Sequence, residues 1–124
     1  MTTIVDHRAG CSWELVREHA STLPAAEEGS SYEGPAFRVK GKLFVCLRED
    51  GDSLVVWTDF YEREHLVESD PGTFYFTDHY RDYPLVLIRL SRIDPERLRR
   101  HVTDSWCRRA PKRLVTAYER AAAP

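Results

Sequence analysis

Two apolar runs, Leu43 to Leu47 and Leu54 to Trp57, are joined by Glu49-Asp50-Gly51-Asp52. Asp-Gly tolerates the positive φ that a tight hairpin requires, so the runs must fold back on each other as antiparallel strands. A second turn signal, Lys40-Gly41-Lys42, stands just upstream. It follows a short stretch in which Phe37 and Val39 alternate with Arg38 and Lys40. Two hairpins in series make a meander, not a βαβ unit. Everything else in the chain must be arranged around that antiparallel sheet.

The flanking segments read mainly as helices. Ser12 is an N-cap for a helix running to about residue 22, before Leu23-Pro24, with Val16, Ala20 and Leu23 on one face. Residues 27–35, with Gly29, Gly34 and Pro35, read as a loop. Asp59 lies three residues before Glu62, a capping-box spacing that predicts a short helix over 61–68. Asp70-Pro71-Gly72 stops it. Residues 73–77 and 85–91 read as two further strands around a polar aromatic loop, Asp78 to Pro84. Asp94-Pro95 opens a long helix with an inner stripe of Leu98, Val102, Ser105 and Trp106. Pro111 opens a last helix whose face is Leu114, Val115, Tyr118 and Ala122. The order is α-β-β-β-α-β-β-α-α. It implies an α+β, two-layer fold with a five-stranded antiparallel sheet and helices packed mainly on one face. A chain of 124 residues fits one domain, spanning 1–124.

Alternation divides the sheet into two faces. Phe37, Val39, Leu43, Val45, Leu47, Val86, Ile88 and Leu90 belong under the helices. Arg38, Lys40, Phe44, Cys46, Leu87 and Arg89 fall on the other face. Either Leu54 and Val56 or Val55 and Trp57 join them. Such a mixed apolar, aromatic and basic surface is covered by its own chain, pairs with a second copy, or takes a ligand.

Composition narrows the function classes. No stretch approaches the roughly 20 apolar residues of a membrane span. Met1 to Gly10 lacks the basic start and apolar run of a secretory signal. Three cysteines, Cys11, Cys46 and Cys107, show no C-x-x-C pair, which points to a reduced, cytoplasmic setting. Cys46 reads as a small buried hydrophobe. His7, His19, His65, His79 and His101 have no metal-ligand spacing, so no metal or cofactor is implied. No nucleophile elbow or phosphate loop occurs, and the chain reads as non-enzymatic.

Charge is unevenly distributed. Residues 1–91 carry a balance of −7 and residues 92–124 a balance of +5. In the basic third, Pro111 places Lys112 and Arg113 in the first turn of a helix. Cations there oppose the helix dipole by some tenths of a kcal/mol. A bound anion or a carboxylate of the same chain would offset that cost. A second cluster, Tyr75, His79, Tyr80 and Tyr83, either packs its loop onto the sheet or lines a pocket.

Several separated motifs agree in order and spacing. They are Glu28 to Phe44, Asp70-Pro71-Gly72-Thr73-Phe74-Tyr75, Thr77-Asp78-His79-Tyr80, Tyr83-Pro84 and Ala110-Pro111-Lys112-Arg113-Leu114. With them the chain resembles the MmcQ/YjbR family of small bacterial proteins. The resemblance implies a frataxin-like or secretion-chaperone-like α+β fold and DNA binding through a double-wing arrangement of hairpins. It carries no catalytic residues. The Lys40-Gly41-Lys42 turn flanked by Arg38 matches a basic wing. The acidic tip Glu49 to Asp52 departs from one, and Leu85 stands where many relatives have Trp. The expectation is weak, salt-dependent DNA binding through Arg38, Lys40, Lys42, Lys112 and Arg113. The alternative is a non-catalytic interaction module or homodimer using the outer sheet face.

Overall fold

A computed structural model describes residues 10–122; the expectation for Met1 to Ala9 lies outside the described residues. The elements are helix α1 (Trp13–Ala20), strands β1 (Ala26–Ser30), β2 (Pro35–Val39), β3 (Lys42–Leu47) and β4 (Ser53–Trp57), helix α2 (Phe60–Ser69), strands β5 (Phe74–Tyr75) and β6 (Leu85–Arg89), and helices α3 (Pro95–Arg109) and α4 (Lys112–Ala122). Two of the three expected caps form, whereas Ser12 stands at the N-cap position of α1 without a side-chain capping bond. Asp59 accepts from the Glu62 amide at 2.7 Å and Asp94 from the Arg97 amide at 3.0 Å. Val16, Ala20 and Leu23 are buried, as are Leu98, Val102, Ser105 and Trp106.

The sheet is antiparallel with order β1-β2-β3-β4-β6-β5, six strands rather than five. The additional strand is β1, within the segment read as a loop. Its residues Glu27, Glu28, Gly29 and Ser30 are exposed, so they show no apolar alternation. It pairs only with β2, from Ala26 opposite Val39 to Ser30 opposite Pro35, and Arg17 of α1 donates to Glu28 at 2.8 Å. An acidic, exposed edge strand also discourages sheet-to-sheet association.

The face assignment holds except around Phe44. Phe37 pairs with Val45 and Arg38 with Leu43, which leaves Phe44 as the extra residue of a β-bulge. The bulge turns Phe44 inward beside Val45 and puts Leu43 on the other face, the reverse of simple alternation. In β4, Leu54 and Val56 face the helices while Val55 and Trp57 face away.

The bulge also explains a polar residue in the inner stripe of α3. The β3–β4 ladder begins only at Val45 opposite Val56. Beyond it, the Ser105 hydroxyl donates to the Phe44 carbonyl at 2.5 Å and accepts from the Trp57 amide at 2.8 Å. One side chain thus satisfies two backbone groups that the parted strands cannot pair. One turn later, Arg109 Nε donates to the Leu43 carbonyl at 2.8 Å.

The helix-side core contains Phe37, Phe44, Phe74 and Trp106, all fully buried. Trp106 donates from its indole to the Pro24 carbonyl at 3.0 Å and meets the Tyr118 ring at 5.2 Å. Helix α4 lies on this core through Leu114, Val115 and Tyr118, whereas Ala122 is exposed. None of its residues is fully buried.

Candidate nucleic-acid interface

The two hairpin tips differ in charge and in what their charges do. Consecutive turns of a meander sit at opposite ends of the strand they share, so the two tips form separate surfaces. At the 49–52 tip, Asp50 accepts from the amides of Asp52 and Ser53 at 2.9 and 2.8 Å and from the Ser53 hydroxyl at 2.7 Å. Asp52 accepts from the Ser91 amide and hydroxyl at 2.8 and 2.9 Å. Asp50 holds the turn itself, and Asp52 ties it to the segment after β6. Burial alone would raise the Asp50 carboxyl, but these hydrogen bonds outweigh it and hold it below its ordinary value.

At the other tip, Lys40 takes a left-handed φ of +50° and Gly41 one of +83°. Lys40 and Lys42 are exposed. Arg38 is half-buried on the face away from the helices and donates to the Ser30 carbonyl at 3.0 Å. Arg109 anchors the end of α3 to Leu43, the residue after Lys42, and its guanidinium lies 4.3 Å from the Trp57 ring centroid. Lys112 follows three residues later, within about 11 Å of chain reach. The Pro111 carbonyl accepts from the amides of Leu114 and Val115, so Pro111 sits at the cap and Lys112 at the first helical position. Both Lys112 and Arg113 are exposed.

Among the described residues, the ion pairs use Arg17, Arg48, Arg81, Arg97 and Arg108. Arg38, Lys40, Lys42, Arg109, Lys112 and Arg113 make none. Burial pushes Arg109 below its ordinary value, without an offsetting carboxylate. Sequence reasoning missed Arg109 and the role of Trp57. The signal was the i, i+4 spacing of Ser105 and Arg109, which follows the parted strand ends across the top of the sheet.

The aromatic loop packs onto the sheet. Tyr80 is buried against Ala36, Cys46, Val55 and Leu87, and Phe76 packs beside them. The Tyr80 hydroxyl donates to Glu33 at 2.6 Å, and Arg48 Nε donates to the same carboxylate at 2.8 Å. Burial alone would raise Glu33, but the bonds from Tyr80 and Arg48 and the Arg48 charge hold it below its ordinary value. Burial and the bond to Glu33 push the Tyr80 hydroxyl well up. From α2, buried Arg63 reaches under the loop. It donates to the carbonyls of Tyr80, Tyr83 and Leu85 at 3.2, 2.9 and 3.3 Å and of Arg81 at 2.9 Å. Its guanidinium also lies 3.8 Å from the Phe76 centroid. This clamp has no sequence motif, because its acceptors are backbone atoms.

The loop leaves part of the face open. A cavity of about 380 Å³ remains between the β1–β2 turn, the sheet and the loop. Its walls include Tyr32, Arg38, Trp57 and His79, over a floor of Leu43 and Val55. Tyr32 is 102% exposed. A larger groove of about 880 Å³ runs along α3 beside α1 and α2. Of its four arginines, Arg97 is tied to Asp70 and Asp94 and Arg108 to Asp59 and Asp104, while Arg99 and Arg100 make no ion pair among the described residues.

Among the described residues no group of three metal-ligating side chains is assembled, and no helix is long and apolar enough to cross a membrane.

A family model described as YjbR matches residues 21–108. Uncharacterized proteins of Mycobacterium bovis (Mb2600) and Mycobacterium tuberculosis (Rv2570) are each 40% identical over 53 residues, 43% of this chain. The match spans 41% of the length of these curated relatives. The crystal structure of Deinococcus radiodurans protein DR2400, with a DUF419 domain, is similar at a TM-score of 0.68 and 18% identity. That likeness covers 77% of this chain and 76% of the other and concerns the fold.

Proposed function

The chain belongs to the YjbR family, and from that premise we propose that it is a cytoplasmic, non-catalytic protein that binds nucleic-acid backbone weakly through one cationic end. Arg38, Lys40, Lys42, Lys112 and Arg113 contact phosphates, and Arg109 adds a cation between them. The supporting observation is the Arg109 bond to the Leu43 carbonyl, which ties the end of α3 to the start of β3. None of these six cations has a carboxylate partner among the described residues. Phosphates would supply the missing countercharge and release condensed cations. An anion at the first turn of α4 would also remove the dipole penalty that Lys112 and Arg113 carry.

The non-catalytic reading is supported by the perturbed groups themselves. Glu33 and Asp50 owe their shifts to bonds that hold turns and loops, and Tyr80 owes its shift to burial and then to its bond with Glu33. The cytoplasmic reading is supported by Cys11, Cys46 and Cys107, which are free. The formal net charge of −2 keeps the expected affinity micromolar or weaker and confines it to one end.

The test is the salt dependence of binding to duplex DNA, followed by fluorescence anisotropy. Replacing Lys112 and Arg113 with Ala lowers the slope of log K against log salt by about 1.8, at roughly 0.9 for each phosphate no longer neutralised. An unchanged slope removes these two residues from the interface. No binding at low salt defeats the reading.

A further inference from the structure

The cavity on the loop face adds something that phosphate contacts alone do not require. We propose that it seats one unpaired base, so that single-stranded nucleic acid is the preferred ligand; this rests on the backbone-binding reading above. A base is flat, apolar on its faces and polar on its edge. The cavity offers the complementary surfaces: aromatic Tyr32 and Trp57, an apolar floor of Leu43 and Val55, and Arg38 and His79 for the polar edge. Its volume, about 380 Å³, is near the lower end for small-ligand pockets and suits one base with its sugar.

Charge selects this occupant over an uncharged small molecule. Arg38 lines the cavity, the one carboxylate of its lining, Glu33, is already held by Arg48 and Tyr80, and Arg109 lies 4.3 Å from the centroid of the lining residue Trp57. Lys42 precedes Leu43 of the floor. A base in the cavity would therefore have its flanking phosphates beside cations that lack carboxylate partners among the described residues. Bases within a duplex are stacked on both faces and cannot enter. A splayed base of a single strand can, and stacking on an aromatic ring is the usual way such strands are held. Tyr32 is fully exposed, so its ring is free to receive a base and can be replaced at little cost to the fold.

The experiment compares a twelve-nucleotide oligo-dT with a twelve-base-pair duplex at low salt, using fluorescence anisotropy. The single strand is expected to bind about tenfold more tightly, the size of one stacked base. Tyr32→Ala should lower single-strand affinity about 5- to 100-fold and leave duplex affinity unchanged. Oligo-dT should quench intrinsic Trp fluorescence, and Trp57→Leu should remove that quenching; circular dichroism checks that the variant folds. Equal or tighter duplex binding, or an equal loss on both ligands in Tyr32→Ala, overturns the base seat while leaving the backbone reading standing. No binding to either nucleic acid overturns both. A dimer that dissociates on Tyr32→Ala without nucleic acid overturns the base seat by assigning the cavity to a second copy.

Discussion

On the helix face, Phe37, Phe44, Phe74 and Trp106 interlock beneath α1, α3 and α4, and the seal is apolar. On the loop face, the apolar patch is smaller and the seal is polar at its edges. Arg63 clamps the loop by its carbonyls, and Glu33 joins it to Arg48 and to the β1–β2 turn. An apolar seal loses stability roughly in proportion to the volume removed. A polar seal depends on a few donors, and it can leave a gap without exposing a large core. The cavity beside Tyr32 and Trp57 lies on that second face.

Truncation should separate the two seals. Trp106→Ala removes the largest fully buried side chain, together with its bond to Pro24 and its packing on Tyr118. It is expected to cost about 3–5 kcal/mol in urea unfolding, with the whole domain weakened as one unit. Arg63→Met should cost less, about 2–3 kcal/mol, because the freed carbonyls can rehydrate as the loop lifts. Its distinguishing mark is local: hydrogen exchange should accelerate over residues 77–84 while α3 stays protected. If both regions accelerate equally, the loop is not an independent seal. Tyr80→Phe keeps the ring and removes only the bond to Glu33, for about 1–2 kcal/mol.

Acid should open the faces in a fixed order. His101 packs edge-on against Phe74, with Arg97, Arg100 and Asp104 around it, and burial with the Arg97 charge holds its imidazole below the ordinary 6.5. Its folded pKa is depressed, so it stabilises the fold above 6.5, and that contribution is lost as pH falls through the folded value. Glu33 behaves likewise from its ordinary 4.5 downward. Stability measured between pH 7 and 5 should fall in the native protein and fall less in His101→Phe. The Tyr80→Phe variant should be weaker than the native protein at neutral pH, and the difference should narrow only as Glu33 is protonated below its ordinary 4.5.

Much of the architecture was legible. Asp59 and Asp94 announced their helices because an N-cap is a local event, and Gly41 and Gly51 announced hairpins for the same reason. Strand β1 was not legible, because exposed Glu27, Glu28 and Ser30 form a strand only through the neighbour they pair with. The Phe44 bulge escaped as well, since no local signal marks the extra residue; it reverses the faces of Leu43 and Phe44 and leaves Val45, Cys46 and Leu47 where simple alternation puts them. Of the interface, the lysines at 40, 42 and 112 could be read from turns and a helix start. Arg109 and Arg63 could not, because each bonds backbone carbonyls far away in sequence.

The central claim is that the Lys40–Lys42 turn and the start of α4 serve as one cationic surface while the Asp50 tip takes no part. Backbone amide shifts followed by NMR during titration with oligo-dT at low salt test it most directly. The account predicts that perturbed amides cluster at residues 38–43, at Trp57 and at 109–114, and that residues 49–53 stay still. Perturbation centred on residues 49–53, or spread evenly over the surface, would contradict it.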